Sequence, residues 1–508
     1  MTRSSGILLP VSALPSPCGI GDLGTAAREF IDFLAAAGQR YWQILPLNPP
    51  DSAHSPYLSA STFAGSTDLL SPEPFMARGA LTADEVRSVD WGGDPMRVDY
   101  GRVHAGKTAL WAAALAREQA AVTPALRAAL ETQPWLMDYC LYMAIKEAQS
   151  GAPWYAWPSA LRDREPDALA EAAEQLDARV LLHAYLQTEF TRQWDAVRAY
   201  AHAHGVRIIG DLPMYVAADS ADVWAKPGQF CLDPDGQPSA VAGVPPDYFC
   251  ADGQLWGNPL YAWDIMKADG FRWWKDRVQG AAKRYDVVRI DHFRGFDEYF
   301  SIPAGDTTAK NGHWEKGPGM DFFRTLYTRL GDVNVIAEDL GLMTDGVRQL
   351  VRDSGCPNMK VLQFAVDPAD VAGSNDYWPH NYNSNCVVYT GTHDNETVAG
   401  WYRGLSKAAK QQLRDYLCDY HTPDNQMFRV LIALTMRAVA KDCIIPVQDY
   451  LGLGNEARMN QPGTVGFNWR WRLTPGQLTD TLAEEMLALV KRTGRANWDA
   501  IEKKTKKA

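Results

Sequence analysis

The chain has 508 residues, 46% hydrophobic and 22% charged, a globular composition that excludes the disordered and fibrous classes. A net charge of −11 opposes a nucleic-acid partner, which would need clustered Lys and Arg. No apolar run approaches the ~20 residues of a membrane helix, which argues against membrane insertion. The apolar opening at residues 6–10 is shorter than a signal-peptide core and is followed by Pro10, Pro15 and Pro17, so the sequence predicts a protein that stays in the cytoplasm. Eight scattered cysteines without a C-x-x-C pair read as buried thiols in a reducing compartment. The 18 tryptophans and 21 tyrosines are heavy for a core alone, and many lie in Gly/Pro-rich stretches. Flat rings with a polar handle suit the apolar faces and hydroxyl rims of sugars.

Short apolar, β-branched or aromatic runs recur at 7–9, 41–45, 207–211, 287–291, 334–338, 360–364, 386–390 and 443–447. Their nearly continuous apolar character fits parallel strands buried on both faces. Helical patterning follows several of them, at 25–37, 270–285, 322–330, 344–353 and 406–420. Eight such alternations predict an α/β fold closed as a (β/α)8 TIM barrel, a single catalytic unit over residues 1–508. A mainly helical insertion is expected between strands 2 and 3, at 72–205, with helical patterning at 107–131, 135–149 and 167–204. A loop-rich insertion is expected after strand 3, at 212–269, with an active-site lid at about 245–261. The pattern at 475–491 predicts one closing amphipathic helix ending in a basic pair.

Catalytic groups of barrel enzymes come from the C-terminal ends of different strands. The fourth run ends Arg289-Ile290-Asp291. Arg289 and Asp291 are two apart and so face the same side, where the guanidinium favours the ionised carboxylate that a nucleophile requires. In the fifth run the alternation turns Glu338 inward and Asp339 away. The seventh run leads through Gly391 to His393-Asp394. Two carboxylates flanking a bond are what glycoside cleavage needs: one protonates the leaving oxygen and the other attacks the anomeric carbon, ~5–5.5 Å apart in retaining enzymes. A third can balance oxocarbenium charge. Taken singly, each acid could equally cap the helix that follows its strand.

The strings RIDHFRG, AEDLG and THDNET, in that order, resemble the catalytic regions of 4-α-glucanotransferases of the amylomaltase type, relatives in the α-amylase clan. The resemblance extends along the chain through SPCGIGDLG, WQILPLNPP, HSPYLSASTFAG, GDLPMYVAADSADVWA, GVPPDYFCADGQLWGNPLY and ARMNQPGTVGFNWRWR. It implies Asp291 as nucleophile, Glu338 as general acid/base and Asp394 as transition-state stabiliser. It also implies sugar contacts from Tyr57, Asp211, Arg289, His292, His393 and Asn460, and from Asp247, Tyr248 and Trp256 on the acceptor side. The implied partners are maltodextrin donors and acceptors; the chain would work as a monomer without metal or organic cofactor. An α-glucan hydrolase or a non-catalytic glucan-binding protein stays open as an alternative.

Three motifs point elsewhere and are set aside. Gly19-Ile20-Gly21-Asp22-Leu23-Gly24 matches G-x-G-x-x-G, but prolines separate it from the preceding run and no acid ends a second strand. Asp233-Pro234-Asp235-Gly236 hints at a calcium loop, yet Val244 stands where the twelfth-position Glu belongs. His202 and His204, two apart on a helical pattern, diverge.

Overall fold

The computed structural model describes residues 3–246, 251–331 and 333–505. In chain order its strands are β1 (Ser4–Leu8), β2 (Tyr41–Gln43), β3 (Arg207–Leu212), β4 (Ala240–Val244), β5 (Gln254–Pro259), β6 (Val287–Ile290), β7 (Glu298–Pro303), β8 (His313–Lys316), β9 (Val335–Ala337), β10 (Asn358–Val361), β11 (Cys386–Tyr389) and β12 (Asp442–Pro446). β1, β2, β3, β6, β9, β10, β11 and β12 pair in parallel and in sequence order around a closed barrel. β1 completes the ring against β12, Ser4 opposite Asp442 through Leu8 opposite Pro446. The expected (β/α)8 barrel is therefore the observed one. Its interior is filled by Leu8, Ile209, Ile336, Met359, Val361, Val387, Tyr389 and Ile444, a packed core of branched and aromatic side chains with its chemistry left at the rim. Below the rim, the buried Arg495 guanidinium donates to the carbonyls of Ser4, Met436, Ala438, Ala440 and Lys441, tying the closing strands to the C-terminal segment.

Between β2 and β3 the chain leaves the barrel for the helices Tyr100–Thr132, Pro134–Ala148, Pro166–Gln175 and Asp177–Ala203. The helical pattern at 167–204 is two helices, parted at Leu176. These helices share one continuous apolar core with the barrel's outer layer, so their burial anchors them to the scaffold.

The loop-rich segment after β3 also carries short strands. β4 and β5 pair antiparallel, and β7 and β8 extend them into a sheet of order β5-β4-β7-β8. Its central pair, β4 with β7, joins residues about sixty apart and its strands are only four to six residues long, so local pattern carries little sign of it. The sixth barrel strand is also displaced. It runs Asn358–Val361, and residues 362–364 form a 3-10 turn. The apolar run outlasts the strand because Leu362 and Ala365 pack with Trp378 and Val398 in a separate cluster. The closing helix starts only at Asp480, capped by the Thr479 side chain accepting from the Leu482 N–H, and a further helix, Trp498–Thr505, follows it. Among the described residues no helix is long and apolar enough to cross a membrane.

Candidate active site

β3, β6, β9 and β11 bring the predicted acids together at one mouth of the barrel. Asp211 is the penultimate residue of β3 and is fully buried. Both its carboxylate oxygens accept from one Arg289 nitrogen at 2.7 Å. Another Arg289 nitrogen lies 2.9 Å from Asp291 Oδ1. The alternation expected of Arg289 and Asp291 is thus realised, with the guanidinium wedged between two carboxylates. The phenol of Tyr57 reaches the same cluster, donating to Asp211 Oδ2 at 2.7 Å and lying 2.9 Å from His393 Nε2. Its ring stacks on His393 at 5.3 Å between centroids.

Beyond β6 the chain turns sharply. His292 adopts a left-handed backbone with φ of 47°, an uncommon state for a non-glycine residue. The turn points the His292 N–H at Glu338 Oε2, 2.6 Å away, and the Phe293 N–H at the Glu338 carbonyl, 3.0 Å away. Glu338 Oε1 accepts from the Leu340 N–H at 2.8 Å. Asp339 faces the opposite way, its carboxylate accepting from the Met359 N–H and the Asn358 amide.

The two candidate reacting carboxyls differ in environment. Burial pushes both upward. Asp291 is opposed directly by Arg289 in an ion pair. Among the described residues Glu338 has only backbone donors as hydrogen-bond partners, and its pKa is pushed up to about 8 by burial, with Arg289 opposing and Asp291 adding to the rise. A carboxyl raised by burial beside one held by a guanidinium is the contrast that acid and nucleophile chemistry at one site would need.

His292 completes one wall. Burial, with Arg294 nearby, lowers its pKa to about 3, so the ring stays neutral. Its buried Nε2 has no hydrogen-bond partner among the described residues. Trp256 from β5 stands edge-on to it, with ring centroids 4.8 Å apart, and Tyr215 lies 6.2 Å from both rings. The Trp256 indole N–H donates to Gln254. Asp247 and Tyr248 lie outside the described residues.

On the other side, Asp394 follows β11. Its Oδ1 lies 3.4 Å from His393 Nε2 and accepts from the Asn460 amide at 2.6 Å. The Asn460 N–H donates to the His393 carbonyl at 3.0 Å. Arg458, which nothing in the sequence singles out within ARMNQPG, donates to the carbonyls of Asp394 and Asn460 at 2.6 and 2.8 Å. Tyr215 and Trp469 also join the site unannounced, although both lie in segments that carry the family resemblance. Trp469 packs 5.8 Å from Tyr57 and 5.9 Å from His393.

The motifs that pointed elsewhere occupy structural positions. Gly21 lies where a Cβ would meet the Val11 carbonyl at 1.9 Å, so close backbone packing requires the glycine. Asp233 Oδ1 accepts from the N–H groups of Asp235 and Gln237 within a turn. His202 pairs with Asp286, and His204 bonds the Tyr200 carbonyl. No cluster of three His, Cys, Asp or Glu suited to a metal occurs among the described residues.

Known proteins share both this sequence and this architecture. The profile of the family described as 4-alpha-glucanotransferase matches residues 9–479. The chain is 45% identical to the 4-alpha-glucanotransferase of Thermus thermophilus over 505 residues, 97% of this chain and 99% of that one. It is 45% identical to the enzyme of the same name from Synechocystis over 502 residues, 97% of this chain and 98% of that one. Among solved structures, the amylomaltase from Streptococcus agalactiae in complex with acarbose superposes with a TM-score of 0.94 at 37% identity, covering 97% of this chain and all of that one. Profile, relatives and fold agree over nearly the whole length, and the chain belongs to the 4-α-glucanotransferase (amylomaltase) family.

Proposed function

We propose that the protein disproportionates maltodextrins, moving α-1,4-glucan segments from donor to acceptor through a covalent glycosyl-enzyme. Glu338 protonates the glycosidic oxygen as the Asp291 carboxylate attacks the anomeric carbon, and the C–O bond to the leaving glucan breaks. Glu338, now ionised, takes the proton from the 4-hydroxyl of the acceptor, whose oxygen displaces Asp291 and restores the α-configuration. Asp394 faces the developing oxocarbenium charge. Tyr57, Asp211, Arg289, His292, His393 and Asn460 hold the sugar at the cleavage point, and Asp247, Tyr248 and Trp256 serve the acceptor side. The observation that carries this reading is the contrast between Asp291, 2.9 Å from Arg289, and Glu338, raised to about 8.

Transfer wins over hydrolysis when an acceptor sugar reaches the glycosyl-enzyme and water does not. The Trp256–His292–Tyr215 wall supports that outcome. Incubation with maltotriose tests it: glucose and longer chains at a constant number of reducing ends are expected. Rising reducing ends would instead identify a hydrolase, and an unchanged substrate a binding protein. The described cysteines are all free, which supports action in the reducing cytoplasm. Exposed large apolar side chains such as Ile265, Val371 and Val439 are far apart in the sequence, and among those described only Val465 and Phe467 are near neighbours, which supports a monomer.

A further inference from the structure

Asp449 lies just beyond β12 in the short helix Val447–Tyr450 and is fully buried. One carboxylate oxygen accepts from the Thr390 hydroxyl at 2.5 Å and the other from the Val398 N–H at 2.7 Å. Thr390 immediately follows β11, and Val398 opens the helix Val398–Gly404. These two donors are the roots of a single loop, residues 391–397, which carries His393 and Asp394. Asp449 therefore grips both ends of that loop at once.

Its neighbour Gln448 extends the arrangement. The Gln448 amide donates to the Ala457 carbonyl at 3.2 Å, at the base of the segment from which Arg458 and Asn460 reach Asp394. The loop and the residues that brace it from above are thus both hung from the end of β12. Burial pushes the Asp449 carboxyl up to about 7, with the Thr390 and Val398 bonds opposing; no cation among the described residues offsets its burial. Such a group is expensive to maintain for packing alone.

We infer that Asp449 is a positioning residue for the transfer reaction: by tethering Thr390 and Val398 it sets where the Asp394 carboxylate stands relative to the reacting sugar. This rests on the role proposed for Asp394. An alanine at 449 would leave a buried hydroxyl and a buried N–H without their acceptor and free both loop roots. An asparagine can accept from Val398 through its oxygen and donate to Thr390 through its amide, so it preserves the tether. A loop slackened by about 1 Å costs up to ~10²-fold in rate.

The test compares maltotriose kinetics of Asp449→Ala and Asp449→Asn at a temperature where circular dichroism shows each variant folded. Asp442→Asn serves as a control: Asp442 is buried at the opposite end of β12, bonded to Ser4. The expected result is a kcat about 10- to 100-fold lower for Asp449→Ala with KM changed by less than about twofold, and recovery to within about threefold in Asp449→Asn. Asp442→Asn should keep its kcat. A folded Asp449→Ala with wild-type kcat would overturn the inference, as would an equal loss in Asp442→Asn. Should Asp449→Ala fail to fold, Thr390→Val removes one tether alone; a several-fold lower kcat supports the inference and an unchanged one overturns it. Asp394→Asn is assayed in parallel. Activity there sinks the reading of Asp394 itself, whereas an inactive Asp394→Asn beside a fully active Asp449→Ala sinks only the positioning role.

Discussion

Arg289 places one guanidinium nitrogen 2.7 Å from both oxygens of Asp211 and another 2.9 Å from Asp291. Asp211 takes part of the positive charge, so Arg289 opposes the rise that burial imposes on the Asp291 carboxyl without being locked to it in a full two-pronged pair. The nucleophile proposed at Asp291 needs that compromise: an opposing charge close by, yet freedom to attack.

Removing the wedge leaves the buried Asp211 carboxylate and the partly exposed Asp291 carboxylate without the cation between them. Arg289→Leu is expected to lose about 3–5 kcal/mol of stability, the range for breaking a buried pair from one side. Urea unfolding would read the loss. Arg289→Lys should recover more folding than turnover, because an ammonium restores charge but not the planar fork. Equal recovery of both would contradict the geometry described.

Glu338 should impose an alkaline limit. Its native carboxyl titrates at about 8 against 4.5 for the ordinary group, so kcat/KM is expected to fall roughly tenfold per pH unit above that value. The linkage has the same sign. Between pH 4.5 and 8 the native state keeps a proton that the unfolded chain has released, so stability declines across this window as pH rises and levels off above it. The decline is on the order of a few kcal/mol. Denaturant titrations of Glu338→Gln at pH 5 and pH 8 should show this slope removed; a slope matching the wild type would refute the assignment.

Trp256→Ala is expected to shift products toward hydrolysis. The indole packs edge-on against His292, and its removal opens the site to water while withdrawing roughly 0.5–1.5 kcal/mol of aromatic contact. The ratio of new reducing ends to transferred glucose reports the change, and a constant ratio would remove Trp256 from the acceptor side.

Asn460→Ala withdraws the amide that donates to Asp394 at 2.6 Å. A hydrogen bond to a charged group contributes about 1.5–3 kcal/mol, so kcat/KM should fall roughly 10- to 100-fold with the fold intact. Thermal melting alongside the maltotriose assay distinguishes this from unfolding.

Much of the site is legible in the amino-acid sequence. Asp291 and Glu338 stand out because a strand's two-residue alternation tells inward from outward without knowledge of the partner strand. Asp339, turned to Met359, obeys the same rule. Asp211 is visible at its strand end, but its sharing of Arg289 is not, since that pairing joins residues 78 positions apart. The sheet of β4, β5, β7 and β8 is hidden for a similar reason: its central pair joins residues 240–243 to 300–303. Arg458 and Asp449 act through carbonyls, a hydroxyl and a backbone N–H, groups that every sequence contains and none advertises.

The order of strands, the barrel and the identity of the strand-end acids follow from local alternation and apolar period, which neighbouring residues fully express. Their division of labour does not. Whether a carboxyl is an anion or an acid depends on what desolvates it and which charge lies within a few ångströms, and those neighbours come from β3, β6, β9 and the loop after β11. Only closure of the barrel, which brings Arg289 against Asp291 and buries Glu338 beneath the His292 turn, gives two chemically similar side chains the different surroundings that the proposed nucleophile and proton donor require.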